Sequence, residues 1–518
     1  MVGICHGAVI AGARLARTKI SFRCAAMMHR AILFVLWLFV ATSAQAATCE
    51  DLVRLRLDNV TVLSAEAVPA GDFHTPLHFG PRPPAVALPD HCRLRAVATP
   101  VAGSRIGFEV WLPVKGWNGR LKMFGNGGYS SALPYAQLAG GLKDGYAVTA
   151  TDTGHQGDDP DFAVGLPQTI VDWGHRAVHL TAVNAKALLR TYYGRPANHS
   201  YFEGCSTGGH QALMSAQRYP EDFDGIIAGA PGNNRTRLNI GFLWQFVANR
   251  QQGSLEPVLT AARLPLLKEA ALAQCGTVED RARGYLENPF MCKVDVERLR
   301  CRGGTSNSDC LSEAEASAAA RMYAGASNPR TGVQLYPPWL AGSETGWSQY
   351  WADPRNPSQP MRGNFFRFWA FNDPVWDWHT FDFDRDVIRA DRALAGVIDA
   401  TNPDLSRFAG RGGKLILYHG LADPVVSPWD TRRYYEAVRQ RSGTATTHFA
   451  RLFFAPGMGH CGGGPGPNVM GAQSVLERWT EQGVSPDFLP ALKDGKVHRL
   501  CHYSVEKSVC SGLIDHNQ

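Results

Sequence analysis

The most constraining stretch of the chain is Gly204-Cys205-Ser206-Thr207-Gly208. A strand-like run, His199 to Glu203, leads into it, and a helical pattern starts at Gly208 and ends near Pro220. A serine between two glycines at a strand-to-helix junction requires a tight, strained turn, where glycine removes side chains that would clash. Such a turn sits at the carboxyl end of a strand and lifts the serine hydroxyl over the N-terminus of the next helix.

Other strand-like runs also end in Gly-rich or Pro-Gly turns: 107–112, 121–124, 146–150, 226–230, 414–418 and 452–455. Helical patterns lie between them, the clearest over Arg176–Tyr192, with apolar residues three or four apart. Strands alternating with helices predict a mostly parallel sheet covered on both faces, with its ligand site at the carboxyl ends of the strands. From about Asn234 to Ala400 the alternation stops, and tryptophans, four cysteines and Pro/Gly-rich loops replace it. A chain of 518 residues has room for a second folded part. The expected organisation is therefore a leader (1–46), a first core segment (47–233), an inserted lid domain (234–400) and a second core segment (401–518).

The expected leader combines basic charge, an apolar run of about a dozen residues and an A-x-A site at Ala44-Gln45-Ala46, as a secretory signal does. The residues before Met27 add basic charge and no apolar core, as an upstream start codon would. Removing the five basic residues of 1–46 from the formal +6 leaves about +1. A near-neutral chain has no electrostatic case for binding nucleic acid or anionic membranes. No other apolar run approaches the roughly 20 residues of a membrane helix. Ten cysteines remain beyond the leader, and an even number in an exported chain reads as five disulfides. Zinc is the competing use, but no C-x-x-C pair supports it.

Gly-x-Ser-x-Gly is the pattern of a nucleophile elbow, and a serine nucleophile needs a base oriented by an acid. In this topology the order is Ser, Asp, His. Two later strand ends supply the partners: Asp423 in His419-Gly420-Leu421-Ala422-Asp423-Pro424, and His460 in Pro456-Gly457-Met458-Gly459-His460. The oxyanion donors are expected from the Thr207 N–H and from Gly127 or Gly128 in Gly125-Asn126-Gly127-Gly128. His155, His210 and His419 read as loop or structural histidines. Cys205 precedes the serine and Cys461 follows the histidine, so a triad would make them neighbours. A Cys205–Cys461 bridge would then staple elbow to histidine loop, leaving Ser206 as the attacking group.

With these residues in place, the chain resembles the tannase and feruloyl esterase family of α/β-hydrolases. The resemblance is carried by Gly204–Pro231, Gly420–Pro428, Pro456–Pro467, W-N-G-R (Trp117–Arg120), T-D-T-G-H (Thr151–His155) and N-P-R-T-G (Asn328–Gly332). It implies an α/β-hydrolase fold with a large inserted lid, stapled by disulfides, and the triad Ser206, Asp423 and His460. It also implies bridges Cys49–Cys92, Cys275–Cys292, Cys301–Cys310 and Cys501–Cys510 beside Cys205–Cys461. Family lids carry a calcium loop between the first lid cysteines; here the positions for its aspartates hold Gly276, Glu279 and Arg283. The expectation is a degraded site, no metal and no cofactor.

The resemblance implies a serine esterase acting on a small aromatic ester. Feruloyl or other hydroxycinnamoyl esters are favoured, with galloyl esters of tannins and mono(2-hydroxyethyl) terephthalate as alternatives. Trp347, Phe365, Phe366 and Arg362 in the lid are the candidate substrate contacts; as a group the rings suit a planar aromatic acyl group, while packing in the lid core is the alternative for each ring taken singly. A non-catalytic polyphenol- or carbohydrate-binding protein is the alternative from another class. The expected location is the periplasm or the cell exterior.

Overall fold

In the computed structural model, the alternating pattern yields a sheet buried on both faces. Residues 47–76, 84–251, 254–302 and 307–504 are described, with the backbone of 511–513. The expected leader and Cys510 lie outside the described residues. The main sheet has nine strands: β1 (Val60–Val68), β2 (His91–Ala98), β3 (Ile106–Pro113), β4 (Arg120–Phe124), β5 (Ala147–Thr151), β6 (His199–Cys205), β7 (Gly225–Gly229), β8 (Lys414–Gly420) and β9 (Ala450–Ala455). Their spatial order is β1-β2-β3-β5-β4-β6-β7-β8-β9. The β1–β2, β2–β3 and β3–β5 pairs are antiparallel. From β5 to β9 every neighbouring pair is parallel. This is the α/β-hydrolase arrangement.

Side chains alternate across the sheet, so adjacent residues enter different cores. Phe202, Ile226, Leu417 and Phe454 face one side; they pack with Val178 of α2 (Ala177–Tyr193), Leu213 of α3 (Thr207–Arg218) and Tyr435 of a later helix (Pro428–Ser442). Tyr201, Ile227, Ile416 and Phe453 face the other; they pack with Leu138 of α1 (Tyr135–Lys143) and with Leu476 and Trp479 of the helix Ala472–Gln482. Fully burying each such side chain is worth about 1.5–3 kcal/mol. Each anticipated strand is present. Strand β1 carries no such signal in the sequence: as an edge strand it buries only Val62.

Between β7 and β8 the chain adds no strand to the main sheet. This insertion opens with α4 (Arg235–Ala248) and packs around its own aromatic rings, among them Phe365, Phe366, Trp369, Phe371 and Trp376. Two disulfides cross-link it, Cys275–Cys292 and Cys301–Cys310, while Cys49–Cys92 joins the N-terminal segment to β2. Among the described residues no helix is long and apolar enough to cross a membrane.

In the loop closed by Cys275–Cys292 the carboxylates are engaged by groups of the chain itself, whereas calcium takes several hard oxygen ligands. Asp280 Oδ1 accepts from Arg283 Nη2 at 2.7 Å and from the Glu287 N–H at 3.1 Å, and Oδ2 accepts from the Thr277 N–H at 3.1 Å. Arg283 Nη1 also lies 3.3 Å from Glu287 Oε2. A guanidinium therefore sits among the nearest carboxylates, and Gly276 brings no side chain.

Candidate active site

Ser206 links β6 to α3 with φ 62° and ψ −116°, a left-handed conformation rare for a residue with a side chain. Three backbone hydrogen bonds hold it there: Ser206 N–H to Gly229 O (3.0 Å), and His210 and Gly232 N–H to Ser206 O (3.0 and 3.1 Å). The flanking glycine is required by contact, since a Cβ on Gly204 would stand 2.5 Å from the Gly208 backbone.

The Gly-rich loop after β4 is tied to α3 by a residue the sequence reading passed over, Gln211. Its Oε1 accepts from the Asn126 N–H at 3.0 Å and its Nε2 donates to Asn126 Oδ1 at 3.2 Å. Thr207 Oγ1 donates to Gly128 O at 2.8 Å, joining the expected oxyanion donors directly. Gly128 has φ +56°.

Asp423 and His460 come from loops after β8 and β9, which are paired in the sheet. His460 Nδ1 donates to Asp423 Oδ2 at 2.7 Å. Asp423 is fully buried and accepts three further hydrogen bonds: from the Val425 and Val426 N–H groups (2.7 and 3.0 Å) and from His419 Nε2 (3.0 Å). Burial alone would raise its pKa. The charge of His460 and the hydrogen bonds from His419 and His460 outweigh that effect and hold the carboxyl far below the ordinary range.

His419 therefore does more than the structural part read for it: it fixes the acid while its Nδ1 meets Thr431 Oγ1 at 2.7 Å. His419 stands near the end of strand β8, and Asp423 lies on the loop that follows it. His155 is bonded to Tyr129 O within the loops, whereas His210, inside α3, is bonded to Ile398 O at the end of the helix Arg385–Ile398. The His175-x-x-x-His179 pair, a metal-like spacing the sequence reading overlooked, is engaged by Tyr219 and Asp222.

Cys205 and Cys461 are bridged with a Cα–Cα distance of 5.9 Å, so the residues beside them, Ser206 and His460, are carried on loops joined covalently. Among the described residues the hydrogen bonds link His460 to Asp423 but not Ser206 Oγ to His460. Such contacts are often long without substrate and tighten in the bound complex.

The expected substrate contacts divide. Trp347, Phe365 and Phe366 are each 0% exposed and stand inside the insertion's aromatic cores, which corrects their assignment as groups facing a ligand. Trp347 donates its indole N–H to Ser343 Oγ at 2.9 Å and packs edge-on to Tyr323. Large apolar rings gain more from packing together than from standing in water. Arg362 does reach the Gly-rich loop. Its Nη2 lies 3.0 Å from where a Cβ on Gly128 would be, its Nη1 donates to Asp158 O at 2.7 Å, and its guanidinium carbon is 5.1 Å from the Tyr129 ring centroid.

Comparison with known proteins agrees with this architecture. The family described as Tannase and feruloyl esterase matches residues 92–508. An uncharacterized esterase of Xanthomonas campestris pv. campestris is 37% identical over 90% of this chain and 89% of its own. The mono(2-hydroxyethyl) terephthalate hydrolase of Piscinibacter sakaiensis is 33% identical over 79% of each chain. The crystal structure of feruloyl esterase B from Aspergillus oryzae superposes with a TM-score of 0.80 at 28% identity, covering 88% of this chain and 95% of that one. The chain belongs to the tannase and feruloyl esterase family and is a carboxylic ester hydrolase.

Proposed function

We propose that Ser206, His460 and Asp423 act as a triad on esters of aromatic acids, with hydroxycinnamoyl esters such as ferulates as the favoured class. The observation that carries this reading is the buried Asp423 carboxylate bonded to His460 Nδ1, on a loop stapled to the Ser206 turn. His460 Nε2 takes the proton of Ser206 Oγ as the oxygen attacks the ester carbonyl. The carbonyl electrons move onto oxygen, facing the N–H of Thr207 and that of Gly127 or Gly128. The oxyanion collapses, the C–O bond breaks and the proton passes from His460 to the departing alcohol. Water then hydrolyses the acyl-serine by the same steps, releasing the acid and restoring Ser206.

Arg362 favours a second reading within this chemistry, since a guanidinium beside Gly128 suits an acyl group that carries its own carboxylate, as in a terephthalate monoester. In either reading the protein works after export and without calcium, the Cys275–Cys292 loop being held by Arg283 and its disulfide.

Initial rates on methyl ferulate, methyl gallate and mono(2-hydroxyethyl) terephthalate, for wild type and Ser206→Ala, test the proposal. A ferulate preference abolished by the substitution supports it. A terephthalate preference moves the assignment to the second reading. Activity that survives Ser206→Ala removes the triad. Folded protein that neither turns over these esters nor is labelled at Ser206 by a serine-directed phosphonate is a binding protein.

A further inference from the structure

Arg235, the first residue of α4, is only 4% exposed and makes no salt bridge among the described residues. Its Nε is buried without a hydrogen-bond partner. Burial pushes its pKa down. The Trp173 and Tyr129 ring centroids lie 5.0 and 5.7 Å from its guanidinium carbon. A buried guanidinium without a carboxylate partner is costly, so its position calls for a reason.

Among the described residues its side chain makes one hydrogen bond, and that bond gives the reason. Arg235 Nη2 donates to Thr207 Oγ1 at 2.6 Å, and Thr207 Oγ1 donates to Gly128 O at 2.8 Å. Guanidinium can only donate, so it occupies an acceptor site of the hydroxyl and leaves the single hydroxyl proton for Gly128 O. Each bond polarises the next in a dry interior. The relay runs from the insertion, through the residue after the expected nucleophile, to the Gly-rich loop.

We propose that Arg235 is a positioning residue for the oxyanion. Acting through the Thr207 hydroxyl, it locks the Gly127-Gly128 loop against the start of α3. It also places an uncompensated positive charge behind the point where negative charge develops. This rests on the Ser206 reading above. Arg235 does not touch substrate, so its effect belongs to the transition state and leaves ground-state binding alone.

The test compares Arg235→Met, Arg235→Lys, Thr207→Val, Thr207→Ser and the double variant Arg235→Met/Thr207→Val. It measures kcat, KM, Tm and inhibition by an aryl trifluoromethyl ketone, which forms a serine-bound oxyanion. Arg235→Met and Thr207→Val are each expected to lower kcat by about 10- to 100-fold, with KM within about threefold of wild type. Inhibitor affinity falls by the same factor. The double variant is no worse than the poorer single one, because both break one relay. Arg235→Lys and Thr207→Ser recover most of the rate. The inference is overturned if Arg235→Met lowers Tm but leaves kcat and inhibitor affinity intact, or if the two effects multiply. If Arg235→Met does not fold, near-isosteric Thr207→Val decides: an unchanged kcat overturns the inference. Activity remaining in Ser206→Ala instead overturns the nucleophile reading.

Discussion

The carboxyl end of the sheet and the inserted segment are built from opposite materials. At the sheet, a few polar residues are each fixed several times over: Asp423 accepts four hydrogen bonds, Ser206 is held by three through its backbone, and a disulfide ties the Ser206 turn to the His460 loop. In the insertion, order comes from rings against rings, as where Phe366 meets Trp376 at 5.5 Å and Phe381 at 5.1 Å. Chemistry sits where geometry is over-determined. The insertion supplies a packed wall and sends arginines toward the site. The two regions should therefore fail differently, one in rate and the other in stability or selectivity.

The largest contrast should come from Asp423→Asn. It is expected to cut kcat by about 10⁴-fold, because the imidazole loses the partner that fixes its tautomer. It also carries a pH signature. A carboxyl held below its ordinary value contributes stability that is complete above the unfolded pKa of about 4 and is lost as the pH falls. The stability gap between wild type and variant should be constant near neutrality and close in acid, as urea titrations at several pH values will read. A gap that widens in acid would contradict the assignment of Asp423 as the depressed carboxylate.

Phe365→Ala should behave in the opposite way, costing about 3–5 kcal/mol of stability by opening a core cavity. The ranking of the three esters by the surviving folded enzyme should be unchanged. A changed ranking with an unchanged Tm would return Phe365 to the substrate. Arg362→Ala should do what Phe365→Ala does not: raise KM about tenfold for esters bearing a carboxylate, with little change for neutral esters or in Tm. Equal effects on charged and neutral esters would make Arg362 a loop anchor only. The smallest effect is expected from a chelator. Excess EDTA followed by added calcium should leave Tm within error, since Arg283 occupies the carboxylates of the Cys275–Cys292 loop. A chelator-dependent fall in Tm, restored by calcium, would refute this.

The same contrast explains what could be read in advance. Ser206, Asp423 and His460 could be picked out because the proposed chemistry needs particular residue types directly after particular strands, and Gly204 because any side chain there collides. Trp347, Phe365 and Phe366 were misassigned because an aromatic residue inside a core and one lining a cleft look alike in sequence; only packing separates them. His419 was legible as a histidine but not as a partner of Asp423, since the path of the turn that brings Asp423 back to this strand residue is not given by the sequence. Arg235 escaped for a different reason: an arginine opening a helix ordinarily reads as a solvated charge, and here it is buried. Strand β1 left no period to detect because so little of it is covered.

The bridge beside Ser206 also sets a schedule. Cys461 follows Cys205 by 256 residues, so at ordinary synthesis rates it emerges on the order of tens of seconds later. Until then the serine turn has no covalent partner, however early its own strand and helix form. Closure also waits for an oxidant that the cytosol withholds. A finished chain kept reduced therefore carries Ser206, Asp423 and His460 without the clasp that joins the serine turn to the histidine loop. Closure of this corner is timed by the far end of the polypeptide and by the redox conditions that the finished chain meets.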